Sequence, residues 1–465
     1  MASSRGIVQV PSGLPIDAAL PDLRAALRGR PSAVLHAPPG AGKSTVVPLV
    51  LLEEPWAAGK RLIVLEPRRL ATRAIAQRMA ATLGERVGET VGYRMRLDTR
   101  VSRATRIEVV TEGVLTRMLQ EDAALEGVAC VVFDEFHERS LQADLGLALT
   151  LDARANLSPE LRVLVMSATL DGAAVARLLG DAQVVSASGR MHPVEVRYVG
   201  AGPPLLPIAP GAPRMRGPRD LETPERAVAR TIQRALREAE GDVLVFLPGA
   251  GEIRRVQQLL GEAIAGTDVR ILPLFGDLPP AEQDAALAVG GGGARRIVLA
   301  TNIAETSLTI EGIRIVVDSG LVRRSKLDAA TGMSRLETQR ISRASADQRS
   351  GRAGRLAPGV CYRLWSEGAH ASLAPFTAPE IAEADLAPLA LELASWGSRD
   401  AAALRWLDAP PAPLLASARD LLRRLGALDA NGRITPHGRE MSRVAVHPRL
   451  AHMLLRSRGT GQARL

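Results

Sequence analysis

The tightest constraint on this fold is an alternation along the chain. Short runs of β-branched and aliphatic residues are separated by longer stretches with helical spacing. A first series falls at residues 33–36, 62–65, 107–110, 128–133 and 161–166, and a second at 194–199, 243–247, 269–274, 297–300 and 313–317. Several runs are apolar at nearly every position. A strand with one wet face alternates apolar and polar residues, so continuous runs require cover on both faces, as in parallel sheets flanked by helices. Two such series predict an α/β protein with two doubly wound domains in tandem.

The punctuation agrees with that reading. Residues 200–224 are crowded with Pro and Gly and read as a loop or insertion in the second domain. The helix after it has a cap in Thr223, a first-turn proline in Pro224, and Val228, Ile232 and Leu236 at helical spacing. Four consecutive glycines, 290–293, form a turn before the run at 297. Beyond about residue 372 the pattern turns helical (384–396, 413–425), with 426–435 a candidate small hairpin.

A chain of 465 residues suits two to four domains at about 100–200 residues each. With 46% hydrophobic and 23% charged residues it is not a disordered tail. No apolar run approaches the ~20 residues of a membrane span, and residues 1–5 lack the apolar core of a signal peptide. Cys130 and Cys361 lack metal-ligand spacing and lie in apolar runs, so both are expected to be buried, in a reducing cytoplasm. The net charge is +9, and all but three of the 59 basic side chains are arginine. GC-rich coding accounts for much of the preference for arginine over lysine, but not for the basic excess. Guanidinium groups suit phosphate recognition.

Three clusters carry chemistry. Ala37-Pro38-Pro39-Gly40-Ala41-Gly42-Lys43-Ser44-Thr45 follows the first apolar run directly. Its glycines let backbone N–H groups converge on an anion, Lys43 suits the β- and γ-phosphates of a nucleotide, and Ser44 suits Mg²⁺. The first glycine of the usual pattern is Ala37 here. At the end of the run 128–133 stands Asp134-Glu135-Phe136-His137, where Asp134 can hold Mg²⁺ and Glu135 can polarise an attacking water. An acidic pair at a helix start is the plainer alternative. In the second unit, Gln348-Arg349-Ser350-Gly351-Arg352-Ala353-Gly354-Arg355 offers Arg352 and Arg355, three apart, as cations for a γ-phosphate, and Gln348 to orient water. The plainer alternative there is a solvated basic face.

These residues resemble, in order and along nearly the whole chain, superfamily 2 helicases of the DEAH/RHA type, bacterial HrpB-type members above all. Residues 40–45 resemble motif I, 66–71 motif Ia, 111–113 motif Ib, 134–137 motif II, 167–169 motif III, 245–249 motif IV, 300–310 motif V and 348–355 motif VI. The resemblance implies two RecA-like domains (1–190 and 191–372), a small, mostly helical winged-helix-like domain (373–435) and the start of a ratchet-like helical domain (436–465). It implies ATP and Mg²⁺ between the RecA-like domains and a nucleic-acid strand across both. Lys43, Ser44, Asp134 and Glu135 would come from the first domain, and Gln348, Arg352 and Arg355 from the second. His137 would link the nucleotide to the second domain, and Ser167 and Thr169 would couple the sites. Arg68, Arg69, Thr111 and Thr301 would hold the strand backbone. Where eukaryotic relatives place an aromatic on the adenine, this sequence has Leu287, which implies weak base selectivity.

The remaining histidines are scattered, and His137 has no partner at ligand spacing. Trp396 and Trp406 are expected to pack the C-terminal domain. With 3% aromatic residues, the expected grip on a strand is through its backbone rather than by stacking. The expectation is therefore an ATP-driven, Mg²⁺-dependent motor on single-stranded RNA, moving 3′→5′, monomeric, with no membrane association. A DNA-preferring translocase and a nucleotide-gated RNA-binding scaffold with weak ATPase are the rivals.

Overall fold

The computed structural model describes residues 12–457 apart from 169–171, 190–191, 205, 207–222, 265, 289–293, 307–309 and 329–331. The apolar runs form strands as their composition requires. The first series and its neighbours give β1 (Ser32–His36), β2 (Arg61–Leu65), β3 (Val91–Met95), β4 (Asp98–Arg100), β5 (Ile107–Val110), β6 (Val128–Phe133), β7 (Arg162–Ser167) and β8 (Gln183–Ser186). They form one eight-stranded sheet in the order β4-β3-β5-β2-β6-β7-β1-β8, parallel except for the β3–β4 pair. Central strands such as β6 are buried at every residue, which is why they carry no polar face.

The second sheet holds β9 (Val194–Tyr198), β10 (Asp242–Phe246), β11 (Val269–Leu274), β12 (Arg295–Ala300), β13 (Ile313–Asp318) and, after a separate antiparallel ribbon of β14 (Leu321–Asp328) and β15 (Met333–Arg340), β16 (Gly359–Arg363). Its order is β11-β12-β10-β13-β16-β9, parallel throughout. Cys130 and Cys361 are buried in β6 and β16. Thr223 caps the helix Pro224–Glu238 by accepting from the Arg226 amide, and Val228 and Ile232 are buried beneath it.

Beyond β16 the chain is helical (Ala387–Trp396, Ala412–Arg424, Pro436–Arg443, Pro448–Arg456). Within 426–435 only one bridge forms, Leu428 with Ile434. The Asp429 and Thr435 amides donate to the Arg433 and Ala427 carbonyls, each at 2.9 Å, on either side of that bridge. The Asp429 carboxylate accepts from the Asn431 and Arg433 amides at 2.9 and 2.8 Å, so a short ladder and a side chain together shape this turn. The helical region shares its core with one face of the first sheet: Ile381, Leu386 and Leu389 pack in one cluster with Val34, Ile63 and Leu65. Trp396 fixes that junction by donating from Nε1 to Asp152 at 2.8 Å. No described helix is long and apolar enough to cross a membrane.

Candidate active site

In parallel sheets the loops after the strands gather at the carboxyl edge, where ligands bind. The loop after β1 turns on Gly40 (φ +82°) and Gly42 (φ +97°), both in the left-handed region that side chains resist. A Cβ on Gly42 would come 2.8 Å from Leu14 Cδ1, so the position also lacks room for one. Lys43 opens the helix Lys43–Leu51, with the side-chain-less Gly42 at its cap. The Ala37 amide donates to the Ser167 carbonyl of β7 at 3.0 Å, tying the loop to the neighbouring strand.

Lys43 Nζ donates to Glu135 Oε1 at 2.7 Å, and both groups are buried. Glu135 itself has φ +49°, a strained conformation of the kind that concentrates at functional sites. The two adjacent carboxyls are driven apart. Burial pushes Asp134 up, with Lys43 only partly opposing. Burial acts the same way on Glu135, but Lys43, His137 and Arg352 outweigh it and hold that carboxyl below its usual range. Asp134 Oδ1 accepts from the Glu135 amide at 2.9 Å, whereas its Oδ2 is buried with no hydrogen-bond partner among the described residues. Ser44 lies within reach of Asp134. A hydroxyl and one buried carboxylate oxygen are a fitting protein share for Mg²⁺, which takes its other ligands from phosphates and water.

His137 Nδ1 stands 3.4 Å from Glu135 Oε2 and accepts from the Ala168 amide at 3.4 Å, joining the acidic pair to the end of β7. Ser167 is buried beside it, and Thr169 lies outside the described residues.

The second sheet delivers its arginines across the seam. Helix Arg343–Gly351 is capped by Ser342 and passes into a 3₁₀ turn, Arg352–Gly354. Arg352 Nε donates to the Glu305 carbonyl at 2.9 Å. The Arg355 guanidinium runs along the phosphate loop, its Nε 3.8 Å from where a Cβ on Gly40 would stand. Burial lowers both arginines, Arg355 to about 10, and Arg355 lowers Arg352 further. The three clusters found in the sequence thus converge. Gln348 faces a cavity of about 760 Å³ where the two sheets and the helical region meet.

Of the four residues expected on a strand, Arg68 lines this cavity, yet it is spoken for: it pairs with Glu138 at 3.0 Å and donates to the Asn302 carbonyl of the second domain. Thr306 in turn donates to Glu138. Arg69 and Thr111 gather instead at the end of β3, Arg69 donating to the Arg96 carbonyl and the Thr111 amide to the Arg94 carbonyl, each at 3.3 Å. Thr301 is half-buried, its amide bonded to Leu274 O at 3.2 Å.

Sequence reasoning passed over Arg349. It is buried, donates to Glu305 Oε2 at 2.8 Å and Asp318 Oδ1 at 2.9 Å, and stacks 4.8 Å from the Phe246 ring centre. Asp318, an acid ending the apolar run 313–317, was the available signal: a carboxylate there demands a buried cation.

Residues 18–178 match the DEAD/DEAH box helicase family, 226–357 the helicase conserved C-terminal domain, and 418–446 the winged-helix part of the helicase associated domain HA2. The ATP-dependent RNA helicase HrpB of Escherichia coli (strain K12) is 48% identical over 97% of this chain and 53% of its own length. The ATP-dependent RNA helicase HrpA of the same organism is 35% identical over 99% of this chain and 35% of its own length. A crystal structure of the Escherichia coli DEAH/RHA helicase HrpB superposes with a TM-score of 0.88 at 47% identity, over 97% of this chain and 55% of that one. The chain therefore spans about half the length of its HrpB relatives. Ordered motifs, paired parallel sheets meeting at one site and these likenesses place the chain in the DEAH/RHA type of superfamily 2 helicases, beside the bacterial HrpB proteins.

Proposed function

We propose that this chain is an ATP-driven motor that acts on single-stranded RNA, hydrolysing nucleotide between its two RecA-like domains and moving 3′→5′. The observation that carries the reading is the approach of Arg355, from the second domain, to Gly40 of the phosphate loop in the first. A cation delivered by a separate domain makes hydrolysis depend on domain closure, which is how a cycle of binding and release becomes motion.

In this reading the amides of 37–45 cradle the phosphates and Lys43 binds their β- and γ-oxygens. Ser44 and Asp134 hold Mg²⁺, which when bound would neutralise the phosphate charge. Glu135, kept ionised, orients the attacking water and attracts its proton, with Gln348 helping to place it. Arg352 and Arg355 meet the charge that develops on the γ-phosphate. Ser167, Thr169 and His137 couple the sites, and Arg68, Arg69, Thr111 and Thr301 serve the strand. The entry of β9 into the second sheet supports a domain division near residue 190, with the helical units at 373–435 and 436–465. We read the chain as a monomer.

ATPase stimulated by single-stranded RNA or DNA, measured across a salt series, tests the proposal. RNA stimulation that falls steeply with salt is expected, since phosphate contacts release counterions. Equal or greater stimulation by DNA would make it a DNA translocase. Turnover that ignores both would make it a nucleotide-gated scaffold.

A further inference from the structure

Residues 374–379 form a strap from the second domain to the helical region, and they are pinned at four points. The Arg343 amide donates to Ala374 O at 2.9 Å and the Ala344 amide to Pro375 O at 3.1 Å. Ser342 Oγ and Thr377 Oγ1 lie 3.1 Å apart, and Arg324 donates to Ala378 O at 3.1 Å. Between these anchors Phe376 stands 66% exposed, the only aromatic among the large apolar side chains left to solvent in the described residues. It borders the 760 Å³ cavity beside Arg323, Arg324 and Arg340 of the β14–β15 ribbon.

A fold of this size can hide one phenylalanine, and Tyr362, Trp365, Phe133 and Phe246 are all buried. A ring held open on a rigid strap, among guanidinium groups, matches the chemistry of unpaired nucleotides. Bases stack on aromatic faces whatever their sequence, while arginines take the phosphates between them. The acidic residues of the cavity are partly engaged elsewhere: Glu138 by Arg68, and Glu380 by the Leu141 amide at 2.9 Å. The strap hangs from Ser342, Arg343 and Ala344, the cap and first turn of the helix that leads to Arg352. A base on Phe376 therefore rests on the same element that carries the γ-phosphate arginines.

We propose that Phe376 is a stacking platform for one base of the strand in the cavity, so that the grip on nucleic acid includes a base contact as well as backbone contacts. This rests on the nucleic-acid reading above.

Fluorescence anisotropy with a labelled single-stranded oligoribonucleotide and with an abasic oligomer of equal length separates the two claims. Phe376→Ala is expected to weaken the base-bearing oligomer about 5- to 100-fold and to leave abasic binding and Tm unchanged. Phe376→Trp is expected to retain affinity, its added indole emission being quenched by the oligonucleotide. Equal weakening of both oligomers, unchanged binding in Phe376→Ala, or an unquenched indole at saturation would each overturn the platform. If the unaltered protein binds neither oligomer, it is the nucleic-acid reading that fails.

Discussion

Lys43 Nζ rests 2.7 Å from Glu135 Oε1, in a contact between the phosphate loop and the acidic pair that solvent barely reaches. The same lysine that would bind phosphate holds Glu135 ionised against its burial. Removing it takes away the proposed phosphate ligand and leaves a buried carboxylate short of its cation. Lys43→Ala is expected to lower ATP turnover by at least about 10²–10³, measured by steady-state phosphate release. Retained turnover would end the motor reading.

Glu135→Gln keeps the shape and removes the charge. Nucleotide affinity should persist while single-turnover hydrolysis falls by roughly 10²–10⁴. The two substitutions should not add, because each removes the same ion pair.

Arg352 and Arg355 differ in their surroundings. Arg352 is anchored to the Glu305 carbonyl, whereas Arg355 lies along the phosphate loop itself. Arg352→Ala is therefore expected to lower kcat by about 10³ or more with little change in nucleotide Kd. Arg355→Ala should raise Kd as well, because Arg355 lies on the phosphate loop even before any rearrangement. A pure binding loss in Arg352→Ala would refute its role at the γ-phosphate.

What the sequence made legible follows from burial. β1, β2, β6 and β7 were readable because both faces are covered and their interiors are apolar. β5 was readable through Ile107, Val109 and Val110, although the buried Glu108, paired with Arg61 and Arg94, interrupts it. β8 was not, since this four-residue edge strand has only Val184 and Val185 as apolar residues, between Gln183 and Ser186, and buries only Val185. The β14–β15 ribbon hid for the same reason: Arg323, Arg324 and Lys326 stand where a core strand would be apolar. The motif residues were legible one by one. Their meeting was not, because Arg355 on Gly40 and Arg68 on Asn302 depend on how two domains dock. Arg68 is likewise engaged in the seam by Glu138 and a backbone carbonyl, contacts that its motif alone does not show.

Arg349 is predicted to matter to stability. Its two carboxylate partners, Glu305 and Asp318, come from different segments, and its ring contact is Phe246 of β10. Arg349→Met removes the cation and strands both acids in a buried site. The expected cost is about 3–5 kcal/mol, read as a lower urea midpoint followed by emission of Trp365, which is buried in the second domain's satellite core. Combining it with Asp318→Asn should recover part of the loss, since one of the stranded charges is then gone.

Glu112 sets a pH dependence with a definite sign. Burial pushes its carboxyl up to about 8, the Ser140 hydroxyl opposes, and Glu138, Glu380 and Asp144 push the same way. A carboxyl whose folded value lies above its unfolded value holds its proton longer in the native state. The native state therefore binds more protons between about 4.5 and 8, and stability must fall as pH rises through that window. At full effect the slope is about 1.4 kcal/mol per pH unit for one proton. The predicted Tm accordingly declines from pH 6 to pH 8.5, and Glu112→Gln, which cannot ionise, should flatten the decline and stabilise the protein most at the alkaline end. A variant that melts in parallel with the unaltered chain at every pH would place the titration elsewhere. Because Ser140 also caps the helix Leu141–Asn156 through the Ala143 amide, Ser140→Ala should cost stability at all pH values and, by removing the hydroxyl that opposes burial at Glu112, carry the decline to higher pH.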